Sequence, residues 1–343
     1  LDNVVVTCGS SCSAPATTTS VTISSINSGG ADVAWTGSAG DGSMVVIRRN
    51  ADGNTLPASG TAYTANTSFT LAAQIDANNR VVFQGAGSSV SGISGLAPET
   101  QYRATTYNYN NTGNCYQLTS PASTTFYTLA TEPAAHSAVF SATALAYNQI
   151  SLAFSASGSN ADGYLIFRRT GAAPTFLPSD ANSYNVNSTY GDAILIGNVT
   201  SNATTSFSNT GLTASTDYYY ILIPYNWDGT NPETYNYRTA VTVPLANATT
   251  PIQPSASSDI LATSGYGTSD ILYANYLNPL ASSTGVSVGV MKFTIRDGGS
   301  GFSDTDVLNT VLDAITIQVN DASSIQSAAL FGGVTQSSRL AYG

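Results

Sequence analysis

The sequence predicts an all-β protein built from tandem β-sandwiches, and two observations predict it. First, residues near 21 to 129 align with residues near 138 to 250, which indicates an internal repeat. Second, each stretch consists of short runs rich in Val, Ile, Thr and Tyr, separated by clusters of Gly, Asn, Asp and Ser every ~8 to 15 residues, a spacing typical of sandwich strands and their turns. The apolar residues do not recur with the 3.6-residue period of a helix.

The repeat is carried by landmarks that occur in the same order in both halves. The offset between matched residues runs from 119 to 121 at first and is then a constant 116. The matched segments are Val33-Ala34-Trp35 with Leu152-Ala153-Phe154, Arg48-Arg49 with Arg168-Arg169, Leu56-Pro57 and Tyr63 with Leu177-Pro178 and Tyr184, Gly95-Leu96 and Tyr102 with Gly211-Leu212 and Tyr218, and Tyr109-Asn110 with Tyr225-Asn226. This order predicts a tandem duplication.

The most specific local motif is Gly-Leu-x-x-x-Thr-x-Tyr, which ends at Tyr102 in the first repeat and at Tyr218 in the second. It predicts a tyrosine corner, in which the ring packs inside the sandwich and the hydroxyl bonds to the backbone a few residues upstream.

On these residues, together with Trp35 and the Tyr-Asn pairs, the stretch from about 12 to 250 resembles fibronectin type III domains, and more narrowly the long tandem variant of secreted Bacteroidota surface proteins. The resemblance implies immunoglobulin-like, fibronectin type III-like sandwiches. Each repeat is longer than a usual domain of this type, with extra residues after Arg49 and after Arg169.

Prolines mark the expected domain boundaries, because Pro133, Pro251 and Pro254 lie at the two junctions. The predicted organisation is a strand-like segment at 1–11, a first domain at 12–132, a second at 133–251, and a third β-sandwich, possessing only part of its strands, at 252–343.

The third part does not match the repeat. It resembles another sandwich module of the same bacterial surface proteins through Ser258-Asp259-Ile260, the Phe293 to Gly299 segment and Ala329-Leu330-Phe331, and the chain stops where further strands are expected. An incomplete sandwich has an open edge that can pair with another strand. One hypothesis is therefore that the strand containing Val4, Val5 and Val6 completes the third domain of a neighbouring copy. The alternative is that the sequence is a fragment of a longer chain.

Charged residues make up only 9% of the sequence, against roughly 25% in ordinary soluble proteins. Acid–base catalysis draws mainly on His, Lys or paired carboxylates, and the chain has one Lys, Lys292, and one His, His136. Because His136, just after the first junction, has no nucleophile motif of the Gly-x-Ser-x-Gly kind near it in the sequence, packing at the interface is favoured over catalysis. The sequence predicts that the protein is not an enzyme.

The net charge of −10 argues against a nucleic-acid partner, and no apolar run is long enough to span a membrane. The scarcity of Lys and the wealth of small polar residues favour an extracellular, secreted or cell-surface location. The three cysteines fit a disulfide better than a zinc or redox motif. Two pairings stay open, Cys12 with Cys115 and Cys8 with Cys12.

Two candidate sites can each be interpreted in two ways. The loop containing Asp297, Asp304 and Asp306 offers three carboxylates to a calcium ion, or forms a plain loop stabilised by Asx turns; no other cofactor is expected. Trp227, in the loop after Tyr225-Asn226, either contacts a sugar or protein partner or folds back over Tyr225 or Tyr235 of its own domain.

These observations predict a noncatalytic structural or adhesive surface protein, with a filament subunit assembled by strand pairing as its most specific form. The expected partners are other copies or neighbouring surface proteins. The alternative is an accessory region of a large secreted hydrolase that spaces its domains or binds polysaccharide.

Overall fold

The computed structural model describes residues 12–112, 114–157 and 161–253, together with the backbone of four short strands beyond them. The described residues form antiparallel β-sheets and a single turn of 3-10 helix, which confirms the all-β class. By the density of their contacts, Leu1–Pro251 form one compact unit and Ile252–Gly343 form another. Both repeats lie in the first unit. No helix in the described parts of the chain is long and apolar enough to cross a membrane.

The first repeat has nine strands in two sheets. The three-stranded sheet has the order β1-β2-β6, and the larger sheet has the order β4-β5-β3-β7-β8, with β9 paired to β7 as well. The strands are β1 Ser20–Ser24, β2 Ala31–Thr36, β3 Gly42–Arg49, β4 Ala73–Gln74, β5 Arg80–Gly85, β6 Ser89–Ile93, β7 Gln101–Asn110, β8 Cys115–Tyr116 and β9 Ala122–Tyr127.

The second repeat has the same arrangement. Its small sheet is β10-β11-β15, and its larger sheet is β13-β14-β12-β16-β17, with β18 paired to β16. The elements are β10 Phe140–Ala146, β11 Gln149–Phe154, β12 Gly163–Thr170, β13 Thr189–Tyr190, β14 Ala193–Val199, β15 Ser206–Thr210, β16 Asp217–Asn226, the 3-10 turn Pro232–Thr234, β17 Asn236–Tyr237 and β18 Leu245–Thr249.

The strand order identifies the kind of sandwich. In an immunoglobulin constant domain the fourth strand joins the sheet of the first, second and fifth strands. The equivalent strand is β5 in the first repeat and β14 in the second. It lies in the opposite sheet, where β5 pairs with β3 and β14 pairs with β12. The repeats are therefore tandem immunoglobulin-like sandwiches with the fibronectin type III-like arrangement of three strands facing a larger sheet.

Each repeat has two hydrophobic cores, which explains its extra length. In the first repeat, one core lies between the sheets, with Val33, Trp35 and Ile47 among its members. The other lies on the outer face of the larger sheet, where Met44 and Val46 are covered by the long connection that the resemblance leaves unexplained. Strand β3 is thus buried on both faces, and such strands read as continuous apolar runs rather than alternating ones.

The strand register corrects one step of the sequence alignment. With Tyr102 matched to Tyr218, Ile47 pairs with Ala104 on β7, whereas Arg168 pairs with the equivalent Tyr220 on β16. Arg168 therefore stands at the position of Ile47, and the predicted match of Arg168 with Arg48 is wrong by one residue. Each larger sheet has a register shift, between β3 and β5 in the first repeat and between β12 and β14 in the second. Because the two repeats also differ in length, an alignment of the sequences alone does not reveal the one-residue error.

The second compact unit is described only as two antiparallel strand pairs. Strands β19 Ser258–Ala262 and β20 Phe293–Asp297 pair with each other, as do β21 Leu330–Phe331 and β22 Ala341–Tyr342. The predicted completing strand at Val4, Val5 and Val6, and most of the predicted third domain, lie outside the described residues.

Candidate functional site

The tyrosine motifs occupy the same position in both repeats. The Tyr102 hydroxyl accepts a hydrogen bond from the backbone N–H of Ala97 at 2.9 Å, and the Tyr218 hydroxyl accepts one from Thr213 at 2.9 Å. Both rings are buried between the sheets. A buried hydroxyl held in this way satisfies a backbone donor that would otherwise lose its hydrogen bond to water, and it ties the connection between the sheets to the core.

Three more tyrosines, in the long connections of the larger sheets, make the same contact, and the motif at Tyr102 and Tyr218 does not predict them. The hydroxyls of Tyr63, Tyr184 and Tyr190 each accept a hydrogen bond from a backbone N–H five residues upstream, at 3.0, 2.9 and 2.8 Å. For Tyr63 and Tyr184 the matched Leu-Pro and Tyr landmarks contain a signal, because the donor residue follows the proline directly in both repeats.

The structure contains the disulfide between Cys12 and Cys115, with Cα atoms 5.4 Å apart. This confirms the first of the two predicted pairings; Cys8 lies outside the described residues. The disulfide fastens the start of the first repeat to β8, at the far end of the larger sheet.

Each repeat binds the chain segment that precedes it through an equivalent asparagine at the end of its long strand. The side-chain amide of Asn110 donates to the backbone carbonyl of Ser13 at 2.8 Å, and the amide of Asn226 donates to the carbonyl of Thr131 at 2.7 Å. Both asparagines belong to the Tyr-Asn landmarks of the duplication. The contact therefore recurs with the repeat.

The junction between the repeats is buried and hydrogen-bonded. Ala130 is fully buried, and its N–H donates to the carbonyl of Thr234 at 2.8 Å. Its carbonyl accepts from the side-chain amide of the buried Asn236 at 2.7 Å. Both polar groups of this linker residue are thus satisfied by the second repeat.

Basic residues of the second repeat complete the junction. The guanidinium of Arg238 donates to the carbonyl of Pro133 at 3.0 Å and lies 3.5 Å from the carboxylate of Glu132. The imidazole of His136 lies against the carbonyl of Ala240, with Nε2 at 3.3 Å, and burial lowers the pKa of His136. This contact lies within the second repeat, and the packing of His136 at the interface stays a prediction.

Trp227 folds onto its own repeat. Its ring stacks on that of Tyr235, with ring centroids 4.6 Å apart and planes 7° from parallel. Its backbone N–H donates to the carboxylate of Asp162 at 2.9 Å. Packing against Tyr235, one of the two alternatives weighed from the sequence, is present in the structure. Contact of Trp227 with a sugar or protein partner stays a prediction.

Three acidic residues approach one another across the junction. Burial, and then the negative charges of Asp162 and Asp228, raise the pKa of Glu99. Glu99 belongs to the first repeat, whereas both aspartates belong to the second. No group of three or more His, Cys, Asp or Glu residues within the described ranges is arranged to hold a metal ion, and the side chains of Asp297, Asp304 and Asp306 lie outside those ranges.

No protein-family model matches the chain, and no curated protein matches it. Among solved structures, it is similar to a segment of two fibronectin type III domains from chicken tenascin, at 11% identity and a TM-score of 0.32, with 68% of this chain and 100% of that chain covered. It is also similar to the FN1–FN3 domains of chicken CNTN1, at 13% identity and a TM-score of 0.34, with 69% and 68% covered. The assignment of the fold rests on the strand order and the tyrosine contacts of the chain itself.

Proposed function

We propose that the chain is a noncatalytic structural module of an extracellular surface protein, in which each repeat fixes the orientation of the chain that precedes it. The observation that carries this proposal is the recurring amide contact of Asn110 and Asn226 with the incoming backbone. A contact present in both copies is part of the repeated unit, and it suits a module that is used in series.

The burial of the junction supports a fixed joint. Boundaries between independent domains usually lie in exposed, flexible linkers that few contacts cross. Leu129 and Ala130 are instead buried, and Ala130, Thr131 and Pro133 each bond to the second repeat. Loss of these contacts would restore the backbone freedom that an exposed linker has.

The covalent chemistry of the chain supports an extracellular location. Disulfides persist in oxidising compartments outside the cytosol, and the Cys12–Cys115 disulfide stabilises the first repeat. The expected partners are other copies of the chain or neighbouring surface proteins. Assembly into a filament through the strand at Val4, Val5 and Val6 is the most specific form of this proposal.

The joint is tested by measuring distances between the repeats. Spin labels would be attached through Leu71→Cys and Leu145→Cys, both at exposed positions, in a Cys8→Ser background. Electron–electron double resonance should give one narrow distance distribution. Asn226→Ala combined with Asn236→Ala should broaden it, because both variants remove bonds to the linker.

The matched control is Asn110→Ala, which removes an amide contact of the first repeat and none of the junction. It should leave the distribution unchanged. A broad distribution in the parent protein, or one that stays narrow in the double variant, would show that these contacts do not fix the joint.

A further inference from the structure

Three core positions of the first repeat are polar in the second. The strand registers match Ile47, Ile93 and Ala104 with Arg168, Asn209 and Tyr220 respectively. In the first repeat all three residues are apolar and no more than 2% exposed. The second repeat therefore has a cation, an amide and a phenol at positions where the first repeat has aliphatic side chains.

The polar residues form a connected set. The Arg168 guanidinium donates to the side-chain oxygen of Asn209 at 3.3 Å, and the Asn209 amide donates to the Tyr220 hydroxyl at 3.0 Å. The guanidinium also lies over the ring of Tyr218, 5.3 Å from its centroid. These contacts hold Arg168 in one orientation at the margin of the core.

A cavity of about 440 Å³ opens beside this set. Its lining includes Arg168, Asn187, Ile194, Ile196, Ser208 and Thr210. Ligand sites commonly have volumes of ~300 to 1,000 Å³ and combine apolar walls with a few polar groups. The cavity lies at the margin of the sandwich, near the ends of β12 and β15 and the start of β14.

The first repeat has a side chain in the corresponding place. The N–H of Phe69 bonds to the carbonyl of Ser94 at 2.8 Å, and Ser94 matches Thr210 in the cavity wall. The Phe69 ring packs on the tyrosine-corner ring of Tyr102, with centroids 5.7 Å apart. The loop of the first repeat thus covers the core margin that the second repeat leaves open.

The charge of the cavity indicates its ligand. Arg169, the next residue on β12, pairs with Asp192 at 2.7 Å, whereas Arg168 has no carboxylate partner among the residues that the structure describes. A half-buried guanidinium with free donors binds a carboxylate through paired hydrogen bonds.

The remaining lining indicates what the carboxylate is attached to. Ile194 and Ile196 contribute apolar surface to the lining, and Asn187, Ser208 and Thr210 contribute polar groups. A pyranose ring presents an apolar C–H face and hydroxyl groups in this combination. We propose that this cavity binds a uronic acid residue of an acidic polysaccharide, with its carboxylate on Arg168.

The proposal is tested by titrating the full chain with glucuronate and galacturonate, and with glucose and galactose as neutral controls of matched shape. Backbone amide shifts of residues 208–211 in NMR spectra would report binding. The two uronates should bind at least about tenfold more tightly than the neutral sugars, as expected for a hydrogen-bonded charge pair. Added salt should weaken their binding.

The decisive variant is Arg168→Ile, which installs the residue of the first repeat and should reduce uronate affinity by about tenfold or more. Arg168→Gln keeps a polar side chain next to Asn209 and should reduce uronate affinity in the same way. It serves as the test if the Ile variant does not fold. Arg169→Gln removes the same charge from the adjacent position and should leave affinity unchanged.

Equal binding of uronates and neutral sugars, or unchanged binding by a folded Arg168 variant, would overturn the proposal. Acetate binding as tight as that of the uronates would also overturn it, because the sugar ring would then contribute nothing. The site goes beyond the proposed structural function, and its failure would leave the measured distances across the joint unaffected.

Discussion

In the first repeat Phe83 of β5 fills the space beside Trp35, with ring centroids 5.2 Å apart. In the second repeat the position of Phe83 is held by Gly197 of β14, and the ring of Phe207 on β15 lies over it. A large aromatic side chain fills the same part of the core in both copies. It is supplied by one sheet in the first copy and by the opposite sheet in the second.

A second exchange follows the same pattern. Ile47 on β3 pairs with Arg80 on β5, whereas Arg168 on β12 pairs with Ile194 on β14. In both exchanges a side chain of one kind, an aromatic ring or an arginine, comes from a different strand in each copy. The two repeats therefore share their strand order more closely than the strand that supplies each of these side chains, and cores tolerate such redistribution when total volume is kept.

The largest expected difference between the repeats comes from the disulfide, which only the first has within the described residues. Cys12→Ala combined with Cys115→Ala should lower the free energy of unfolding of the first repeat by about 2–5 kcal/mol, because the cross-link joins residues 103 apart in sequence. The second repeat should keep its stability. Hydrogen exchange resolved for each repeat would measure both.

Cys8→Ser is the matched control and should not change the stability of either repeat. Equal destabilisation of both repeats in the double variant would contradict the predicted difference. It would show that the joint couples the two repeats into one cooperative unit.

The aromatic exchange gives the next largest effect. A Cβ atom placed on Gly197 would lie 2.6 Å from the Phe207 ring, so that Gly197→Phe should destabilise the second repeat by about 1–3 kcal/mol through overpacking. Gly197→Phe combined with Phe207→Val restores the arrangement of the first repeat. It should be more stable than the sum of the two single changes predicts, as measured by urea unfolding.

The mirror exchange, Phe83→Gly combined with Val90→Phe, is the control in the first repeat. Strictly additive effects in both double variants would contradict the idea that an aromatic ring from either of two strands fills the same part of the core.

The smallest effect concerns Glu99, whose counterpart in the second repeat is Ser215. Both residues have positive φ angles, 53° and 49°. The raised pKa of Glu99 means that its charge destabilises the fold at neutral pH, and that this cost disappears as the pH falls through the raised pKa. Glu99→Ser should therefore raise Tm by about 1–2 °C at pH 7, and the gain should vanish near pH 4.

Glu233→Gln removes one negative charge from an exposed residue and serves as the control for net charge. A gain for Glu99→Ser that persists at pH 4 would have to come from the backbone or from packing, and not from the charges of Asp162 and Asp228.

Much of the fold could be predicted from the sequence, because duplication and tyrosine corners are local patterns. Tyr102 and Tyr218 bond to the backbone five residues upstream, so that the whole contact lies within one motif. The joint could not be predicted in this way. Asn236 bonds to Ala130, 106 residues earlier, and an asparagine in a loop has many other partners available to it.

The cavity of the second repeat was hidden for a different reason. Alignment by residue type matches Arg168 with Arg48 and makes the two copies look alike at this point. Only the pairing of Arg168 with Tyr220 reveals a cation at an aliphatic position. A register shift of one residue moves a side chain to the other face of a strand. The residue types in the sequence do not reveal this shift.

The binding of Ala130 by Thr234 and Asn236 has a practical consequence for how the molecule can be divided. Ala130 and Thr131 complete hydrogen bonds of the second repeat, although by sequence they end the first. A recombinant second repeat that starts at Pro133 would leave the buried Asn236 amide without its acceptor. The two repeats thus overlap along the chain, and the second is complete only with the last residues of the first.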